Sequence, residues 1–432
     1  MCQHEADSSE QKDDVSRADG NAATDVPAEA FPWDLGVFDA HCHPTDVMSS
    51  TANIPGLRSR ALVIMATRSQ DQELVAQLAA SYATPSRESL SVSDGTSGHV
   101  IPSFGWHPWF SHQLYDDTAA EPTYRSVDSG DAKAATANHY RAVLQPGTED
   151  VEFFSALPAP TALSEFINST RKRLQEHPLA LVGEVGVDKA FRLPRLYAED
   201  PYAVRDDALT PGTRDGKLLS RYHVKPSHQV TVLAAQLALA GELERAISLH
   251  GVQAHGYLYD ALAATWKGHE REVIGRRKRR MVAEGAEDFW SSGDEEDEED
   301  EDEEKKKKKT TTTKPKKEVV KGVFPPRICL HSFSGSAEIL KQYFNPAIPA
   351  KIFFSFSSAI NLGTAASAAR LLEVVPLVPD DRILVESDLH TAGQEMDAAL
   401  EEMYRKVCGL KGWSLRDGVE RIGRNFEEFV FG

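Results

Sequence analysis

Histidine and carboxylate side chains occur in this sequence where they could hold divalent metal ions. His41 and His43 are two residues apart, and the alternation of side chains along a strand would let both imidazoles lean toward one cation. Glu184 stands inside the apolar run ALVGEVGV, where a buried carboxylate is costly unless it is paired or bound to metal. An arginine partner would be its ordinary structural explanation. Its catalytic alternative is to bridge two cations, because one carboxylate neutralises both.

Three further residues extend this set. His250 ends the run RAISLH, His331 follows the run RICL, and Asp388 ends RILVESD. Taken singly, such histidines are more often core or surface residues, and such a carboxylate is often salt-bridged. Together with the three residues above they match the nitrogen and oxygen ligands of a two-metal hydrolase, in which Asp388 could bind a metal or hold the attacking water. The cysteines form no CxxC pair, so the set favours one or two Mg, Mn or Zn ions.

Short apolar runs precede these residues and indicate the elements that would position them. Near-continuous apolar runs of this length are typical of strands buried on both faces, as in parallel sheets. Helical patterns follow several of them, most clearly at Ser69–Ala80 and His228–Leu243. This alternation predicts an α/β fold of the (β/α)₈ barrel type, with an open doubly wound sheet as the structural alternative. The eight runs are 36–41, 61–66, 99–106, 180–187, 245–250, 327–332, 351–357 and 382–388.

The polar residues lie at or just past the carboxyl ends of these runs. In a (β/α)₈ barrel those ends converge on one mouth, which is where active sites are built. Packing alone does not explain why six strands would deliver histidine or carboxylate side chains to one rim. The residues at these ends are His41, His43, His107, Glu184, His250, His331 and Asp388.

Composition sets limits on the class of protein. The chain has 432 residues, and its 41% apolar content is enough for a sizeable core. The net charge of −18 is mostly local, because Asp294–Glu304 is an unbroken run of carboxylates. Scattered cysteines fit a reducing compartment. With no signal peptide or apolar run long enough for a membrane span, we expect an intracellular protein, cytoplasmic or nuclear, that is not secreted.

Two segments are predicted to be disordered. Residues 1–30 are polar and without periodicity, and the barrel domain at 31–432 is interrupted at 267–322 by blocks of like charge. The basic clusters of this insertion could act as a nuclear import signal or as part of a flexible solubilising loop. DNA binding by these clusters is the least favoured alternative, because the adjacent carboxylates oppose phosphate. A third segment, 112–160, is predicted to be a long loop with some helix.

The ordered motifs resemble those of the TatD family of deoxyribonucleases. Each motif alone is weak, but their order over most of 36–390 is specific. A helix like the one at 229–240 precedes the family's third metal histidine, here His250. The matching motifs are DAHCH at 39–43, GWHP at 105–108, GEVGVD at 183–188, HSFSG at 331–335 and ESD at 386–388.

This resemblance implies a metal-dependent hydrolase acting on DNA phosphodiesters. Glu184 would bridge the metals, and Asp388 would help to bind and deprotonate the attacking water. His107 would sit near the substrate phosphate, while Asp188 is expected to orient a neighbouring side chain. The metal ligands carried over from the family are His41, His43, Glu184, His250, His331 and Asp388.

The sequence departs from the family at positions that would contact substrate. The arginine expected two residues after the third metal histidine is Val252, and Leu389-His390 replaces Ala/Ser-Pro. Long insertions at 112–160, 192–225 and 260–322 resemble a fungal branch of the family, one member of which is described as a partner of a cell-cycle ubiquitin-ligase subunit. Two alternatives to the DNase therefore remain: a metal-retaining barrel that binds a protein partner in a cell-cycle complex, and a hydrolase of another small substrate.

Overall fold

The computed structural model of the chain comprises a short first unit, Met1–Phe31, and a main body, Pro32–Gly432. Apart from residues 29 and 30, the predicted N-terminal tail lies outside the described residues. Of the predicted charged insertion, 274–322 lies outside them as well, and its disorder stays a prediction. The described residues are 29–82, 86, 87, 90, 97–125, 132–147, 150–195, 218–273 and 323–432.

Eight parallel strands form one sheet, and each predicted apolar run contributes one of them. Their order in the sheet follows the chain from β1 to β8, whereas a doubly wound sheet reverses its order partway. The barrel prediction is therefore confirmed, and the open-sheet alternative is wrong. The strands are β1 Phe38–Cys42, β2 Ala61–Met65, β3 His99–Phe104, β4 Leu181–Asp188, β5 Ile247–Val252, β6 Arg327–Leu330, β7 Lys351–Phe356 and β8 Ile383–Val385.

The first and last strands meet at the mouth and nearly close the barrel. The Asp388 N–H donates to the His41 carbonyl at 3.0 Å, and the His43 N–H donates to the Leu389 carbonyl at 2.8 Å. Below these bonds, the buried Asp39 carboxylate accepts hydrogen bonds from the Ser387 N–H at 3.0 Å and from the Ser387 hydroxyl. This seam brings the carboxyl ends of β1 and β8 together, so that residues more than 340 positions apart share one site.

Helices surround the sheet and follow the alternation expected of a βα barrel. The two clearest sequence predictions correspond to α1 and α5, each within a few residues of the expected bounds. The helices are α1 Gln72–Ser81, α2 Ala132–Val143, α3 Val151–Ala156, α4 Leu163–Glu176, α5 Pro226–Glu242, α6 His255–Trp266, α7 Ala337–Gln342, α8 Ser358–Asn361, α9 Ala365–Val374, α10 Gln394–Lys411 and α11 Leu415–Phe431. None of the described helices is long and apolar enough to cross a lipid bilayer.

Two buried glutamines of α5 hold the ends of neighbouring strands. Gln236 accepts the Trp106 N–H at 2.7 Å and donates to the Trp106 carbonyl at 3.2 Å. Gln229 makes the same pair of bonds with the backbone of Asp188, at 2.7 and 2.9 Å. A side-chain amide can satisfy both polar groups of one residue in this way. These bonds fix the backbone beside His107 and at Asp188, and so position both residues at the mouth of the barrel.

The segment 112–160 is more helical than we expected from its Pro and Gly content. It contains α2 and α3, and their apolar side chains pack with Phe191 and Tyr222 into a buried cluster of their own. Phe153 and the Tyr222 ring stack at 4.9 Å between centroids. The extent of the helices could not be predicted, because some of the residues that cover them come from a distant part of the chain, which periodicity within the segment does not reveal.

Candidate metal centre

Glu184 lies at the centre of the mouth and faces the imidazoles of all four histidines predicted to bind metal. Its Oε1 atom is 2.7 Å from His250 Nδ1 and 2.7 Å from His331 Nε2. Its Oε2 atom is 3.4 Å from His43 Nε2 and 3.5 Å from His41 Nε2. The side chain is only 4% exposed. The two carboxylate oxygens therefore point to two separate pairs of nitrogen donors.

Asp388 joins the pair on the Oε2 side of Glu184. Its Oδ1 atom is 3.5 Å from His43 Nε2 and 4.0 Å from His41 Nε2, and the two Nε2 atoms are 3.1 Å apart. Asp388 has a φ of 54°, a conformation that few non-glycine residues adopt. This backbone turn directs the carboxylate back over the barrel from the end of β8. All six residues expected to bind metal are thus brought together.

His107 lines the cavity beside Glu184, and its predicted place near a substrate phosphate stays a prediction. Its Nε2 atom is 3.1 Å from Glu184 Oε1, and its buried ring meets that of His250 edge-on at 4.4 Å. The Trp109 N–H donates to His107 Nδ1 at 3.2 Å. Burial lowers the pKa of the ring to about 4, despite the Glu184 charge. A neutral ring that accepts at Nδ1 carries its proton on Nε2, so His107 donates a hydrogen bond to Glu184.

Asp188 contacts His250, so His250 is the neighbouring side chain that Asp188 would orient. Asp188 Oδ2 lies 3.2 Å from His250 Nε2 and accepts the Trp109 indole N–H at 2.6 Å. Its Oδ1 accepts two backbone N–H groups, from Ala190 at 2.7 Å and Phe191 at 2.9 Å. With Nε2 of His250 occupied by the carboxylate, Nδ1 is the nitrogen turned toward Glu184.

An Asp188→Asn substitution is expected to weaken metal binding by roughly 10- to 100-fold, because partners that hold a metal-binding histidine contribute about this much. The amide keeps the shape of the side chain but removes the charge that fixes the His250 ring. Metal affinity measured by competition with a fluorescent chelator tests this. The control is Asp260→Asn on the exposed side of α6, which should bind metal like the wild type. Equal affinities for the wild type and Asp188→Asn would contradict the assignment.

Glu386 is a site residue that we did not assign from the sequence. Its side chain is fully buried, and its Oε1 atom accepts the N–H and the hydroxyl of Ser332 at 2.7 and 2.6 Å. The same oxygen is 3.4 Å from His331 Nδ1. On the other side of the site, His41 Nδ1 contacts Ser248 Oγ at 2.9 Å. A carboxylate inside the apolar run RILVESD was the available signal, as it was for Glu184.

The charges of the site favour ionised carboxylates. Burial opposes the charge of Glu184, but His107, His331 and His41 outweigh it and hold the pKa of Glu184 well below its ordinary value. Burial likewise opposes the charge of Asp388, yet the hydrogen bond from His43 and the nearby imidazoles lower its pKa to about 2. For His43, burial is outweighed by Asp388 and Glu184, which raise its pKa to about 9. Both carboxylates are therefore ionised at neutral pH and can act as negatively charged metal ligands.

The chemistry of the donor set fits divalent cations. The far nitrogens of His41 and His250 contact Ser248 and Asp188, which leaves one nitrogen of each ring facing the centre. Two imidazole nitrogens 3.1 Å apart beside two carboxylates are satisfied together by a cation, which accepts lone pairs from all of them. The thiol of Cys42, which lies between His41 and His43 in the chain, contacts the Val63 carbonyl at 3.5 Å instead. The site thus offers nitrogen and oxygen ligands, as expected for Mg, Mn or Zn.

A cavity of about 510 Å³ opens above these residues. The positions that depart from the family pattern, Val252 and Leu389-His390, lie on its wall. His390 Nδ1 contacts Asp46 at 2.7 Å, and Asp46 also accepts from the buried guanidinium of Arg68 at 2.9 Å. The remainder of the wall includes apolar side chains and one exposed guanidinium, namely Trp109, Phe110, Phe191, Ile360 and Arg192.

Comparison with known proteins gives a family match over nearly the whole chain. The family model described as TatD related DNase matches residues 38–430. The Cut9-interacting protein scn1 of Schizosaccharomyces pombe is 35% identical over 395 residues, which cover 91% of this chain and 98% of that protein. An uncharacterized deoxyribonuclease of Saccharomyces cerevisiae is 24% identical over 407 residues, covering 91% of this chain and 99% of that protein.

Solved structures of similar proteins cover a similar share of the chain. A TatD homologue from Escherichia coli covers 90% of this chain and 95% of its own, with a TM-score of 0.44 and 14% identity. A TatD family hydrolase from Entamoeba histolytica covers 92% of this chain and 98% of its own, with a TM-score of 0.45 and 11% identity.

Proposed function

Because the chain belongs to the family of TatD-related DNases, we propose that it is a metal-dependent phosphodiesterase that hydrolyses DNA. The observation that carries this proposal is the position of Glu184, whose two oxygens each face a separate pair of imidazoles. A bridging carboxylate of this kind is what a two-metal hydrolase requires. The proposal assigns His41, His43 and Asp388 to one metal, His250 and His331 to the other, and Glu184 to both.

Divalent cations held there would supply an activated water and neutralise the developing charge on the phosphoryl oxygens. The side chains of the protein would do the rest. Asp388, whose side chain is 13% exposed, would hold the water and accept its proton. His107 donates to Glu184 and keeps its carboxylate oriented. Trp109 and Phe110 form an apolar wall that would limit the access of bulk water to the reacting groups.

The family has an arginine that could contact a phosphate at the position of Val252. We assign this role to Arg192 instead. It follows β4, is exposed, and lines the same cavity as the metal-facing residues. A guanidinium at this wall can donate two parallel hydrogen bonds to a phosphate.

The Arg192→Gln protein is expected to have a KM for DNA about tenfold higher, corresponding to one lost charged contact, with metal affinity unchanged. The matched control is Arg195→Gln, because Arg195 is an exposed arginine of the same segment that is not part of the cavity wall. Steady-state kinetics on a fluorescent oligonucleotide at fixed salt would measure both. Equal KM values for the two variants would remove Arg192 from the substrate site.

The test of the proposed function is hydrolysis of single- and double-stranded DNA with Mg²⁺, Mn²⁺ or Zn²⁺, repeated after chelation. We expect metal-dependent cleavage by the wild type and its loss in Asp388→Ala, which removes the proposed water-binding carboxylate. A folded, metal-loaded wild type that cleaves no DNA substrate would rule the proposal out.

A second candidate function is binding to a partner protein in a cell-cycle complex, with the metal site retained. It is favoured by the identity of 35% to a protein named for its interaction with Cut9, across nearly the full length of both chains. Co-purification with the Cut9 counterpart of the same organism, by a protein that binds metal but does not cleave DNA, would support it. Cleavage of a small ester but not of DNA would instead support the third alternative, a different substrate. The intracellular location stays a proposal for all three candidate functions.

A further inference from the structure

A second cavity, of about 400 Å³, lies at the end of the barrel opposite to the metal centre. Its wall is formed by residues 178–181 before β4, residues 244–246 before β5, Pro326-Arg327 at the start of β6, and Val430-Phe431 at the end of α11. His250 is five residues beyond Arg245, which corresponds to roughly 16 Å along an extended strand. A ligand in this cavity would therefore be remote from the metal-facing residues.

Two arginines line this wall, and the hydrogen bonds that they donate go to backbone carbonyls. Arg245 Nη2 donates to the Leu174 carbonyl at 2.9 Å, while its buried Nε has no hydrogen-bond partner among the described residues. Arg327 donates from Nε to the Phe429 carbonyl at 2.8 Å and from Nη2 to the Val430 carbonyl at 3.3 Å. The Arg327 bonds cap the carboxyl end of α11, which is an ordinary structural role. The unused Nε of Arg245 has no such explanation.

The local charge is positive. Within the described part of the chain, no carboxylate lies within ion-pair distance of either guanidinium. Glu428 is paired with Lys351 at 2.7 Å, and Glu244 is exposed at the edge of the cavity. Burial and the neighbouring Arg245 lower the pKa of Arg327, with Arg87 adding to the repulsion and the two glutamates opposing it. Half-buried cations that repel each other are stabilised by an anion placed between them.

We propose that this cavity, named the basal cavity, binds a phosphate group, free or as a small monoester such as a mononucleotide. The guanidinium groups of Arg245 and Arg327 both line the cavity, and the free N–H groups of a guanidinium match the geometry of phosphate oxygens. The volume exceeds that of phosphate alone. Pro326 and Phe431 offer apolar surface to the organic part of an ester. The proposal does not rest on the proposed hydrolysis of DNA.

Calorimetric titration of the full, metal-loaded chain with inorganic phosphate and with thymidine 5′-monophosphate tests this, with thymidine as the ligand that lacks phosphate. We expect saturable binding of one or both phosphate ligands and none of thymidine. Tighter binding of the nucleotide would identify an ester as the ligand, and equal binding would identify phosphate itself. Arg245→Gln should raise the dissociation constant at least tenfold. Arg245→Lys keeps the charge but loses the planar arrangement of donors, and should raise the dissociation constant less.

Two controls separate the basal cavity from other sites. Glu184→Ala removes the bridging carboxylate of the metal centre and should leave basal binding intact. Arg171→Gln changes a surface arginine of α4 that pairs with Glu242 at 2.7 Å and should also bind normally. The proposal is overturned if the wild type shows no saturable binding, if Arg245→Gln binds as the wild type does, or if binding disappears only in Glu184→Ala.

Discussion

The Glu184→Gln protein is expected to lose metal-dependent hydrolysis by a factor on the order of 10³ or more, equivalent to at least about 4 kcal/mol of transition-state stabilisation. The substitution conserves the size of the side chain but removes the charge that faces both pairs of imidazoles. Nitrogens of the four histidines assigned to metal binding lie within 3.5 Å of the Glu184 carboxylate. Its two oxygens face different pairs of these imidazoles, so its loss should lower metal occupancy on both sides.

Metal content by inductively coupled plasma mass spectrometry, together with hydrolysis rates, would measure this effect. The matched control is Glu176→Gln, an exposed glutamate at the end of α4, for which we expect wild-type metal content and rate. Circular dichroism would check that the Glu184→Gln barrel remains folded. If that folded variant retained full metal content and rate, Glu184 would not be the bridging ligand.

The second large effect concerns folding and is expected for Gly186→Ala. Gly186 has a φ of 156°, and a Cβ atom added there would lie 2.0 Å from the carbonyl oxygen of His250. This oxygen cannot move away easily, because Gly186 pairs with His250 in the β4–β5 register. We expect destabilisation of about 3 kcal/mol or more, from a strained backbone and a displaced strand.

The measurement is the midpoint of unfolding in guanidinium chloride for the wild type, Gly186→Ala and Gly256→Ala. Gly256 lies in α6 with no atom within 4 Å of an added Cβ, so its alanine variant should be unchanged or stabilised by up to about 1 kcal/mol. Because the clash displaces His250, Gly186→Ala should also bind metal more weakly. A midpoint for Gly186→Ala equal to that of Gly256→Ala would show that the two strands can separate without penalty.

Local patterns were sufficient to predict eight strands alternating with helices and the set of residues at their carboxyl ends, whereas the observed strand order was needed to exclude the open sheet. A strand that is buried on both faces has to be apolar along its length, so each polar residue at its end stands out. Parallel strands in a barrel place those ends at one rim. For these reasons His41, Glu184 and Asp388 could be predicted to lie together although they are far apart in the chain. Strand bounds were less well predicted: β5 begins and ends two residues later than the run 245–250.

Residue roles that depend on side-chain direction could be assigned only from the tertiary structure. His107 follows β3 as predicted, but the backbone N–H that occupies its Nδ1 atom is what makes it a donor to Glu184. Glu386 and Asp388 are two residues apart, yet only the conformation of the turn determines that Glu386 is buried beneath His331 while Asp388 faces the mouth.

By itself, the sequence determined which elements form and which residue types reach the mouth, because burial and strand polarity act on each segment separately. The tertiary structure decided how α2 and α3 are covered, which nitrogen of each histidine faces the centre, and where unpartnered guanidinium groups gather. Those features arise from contacts between segments that are tens to hundreds of residues apart. Their energies depend on distances of a few tenths of an ångström, for which no local pattern exists in the chain.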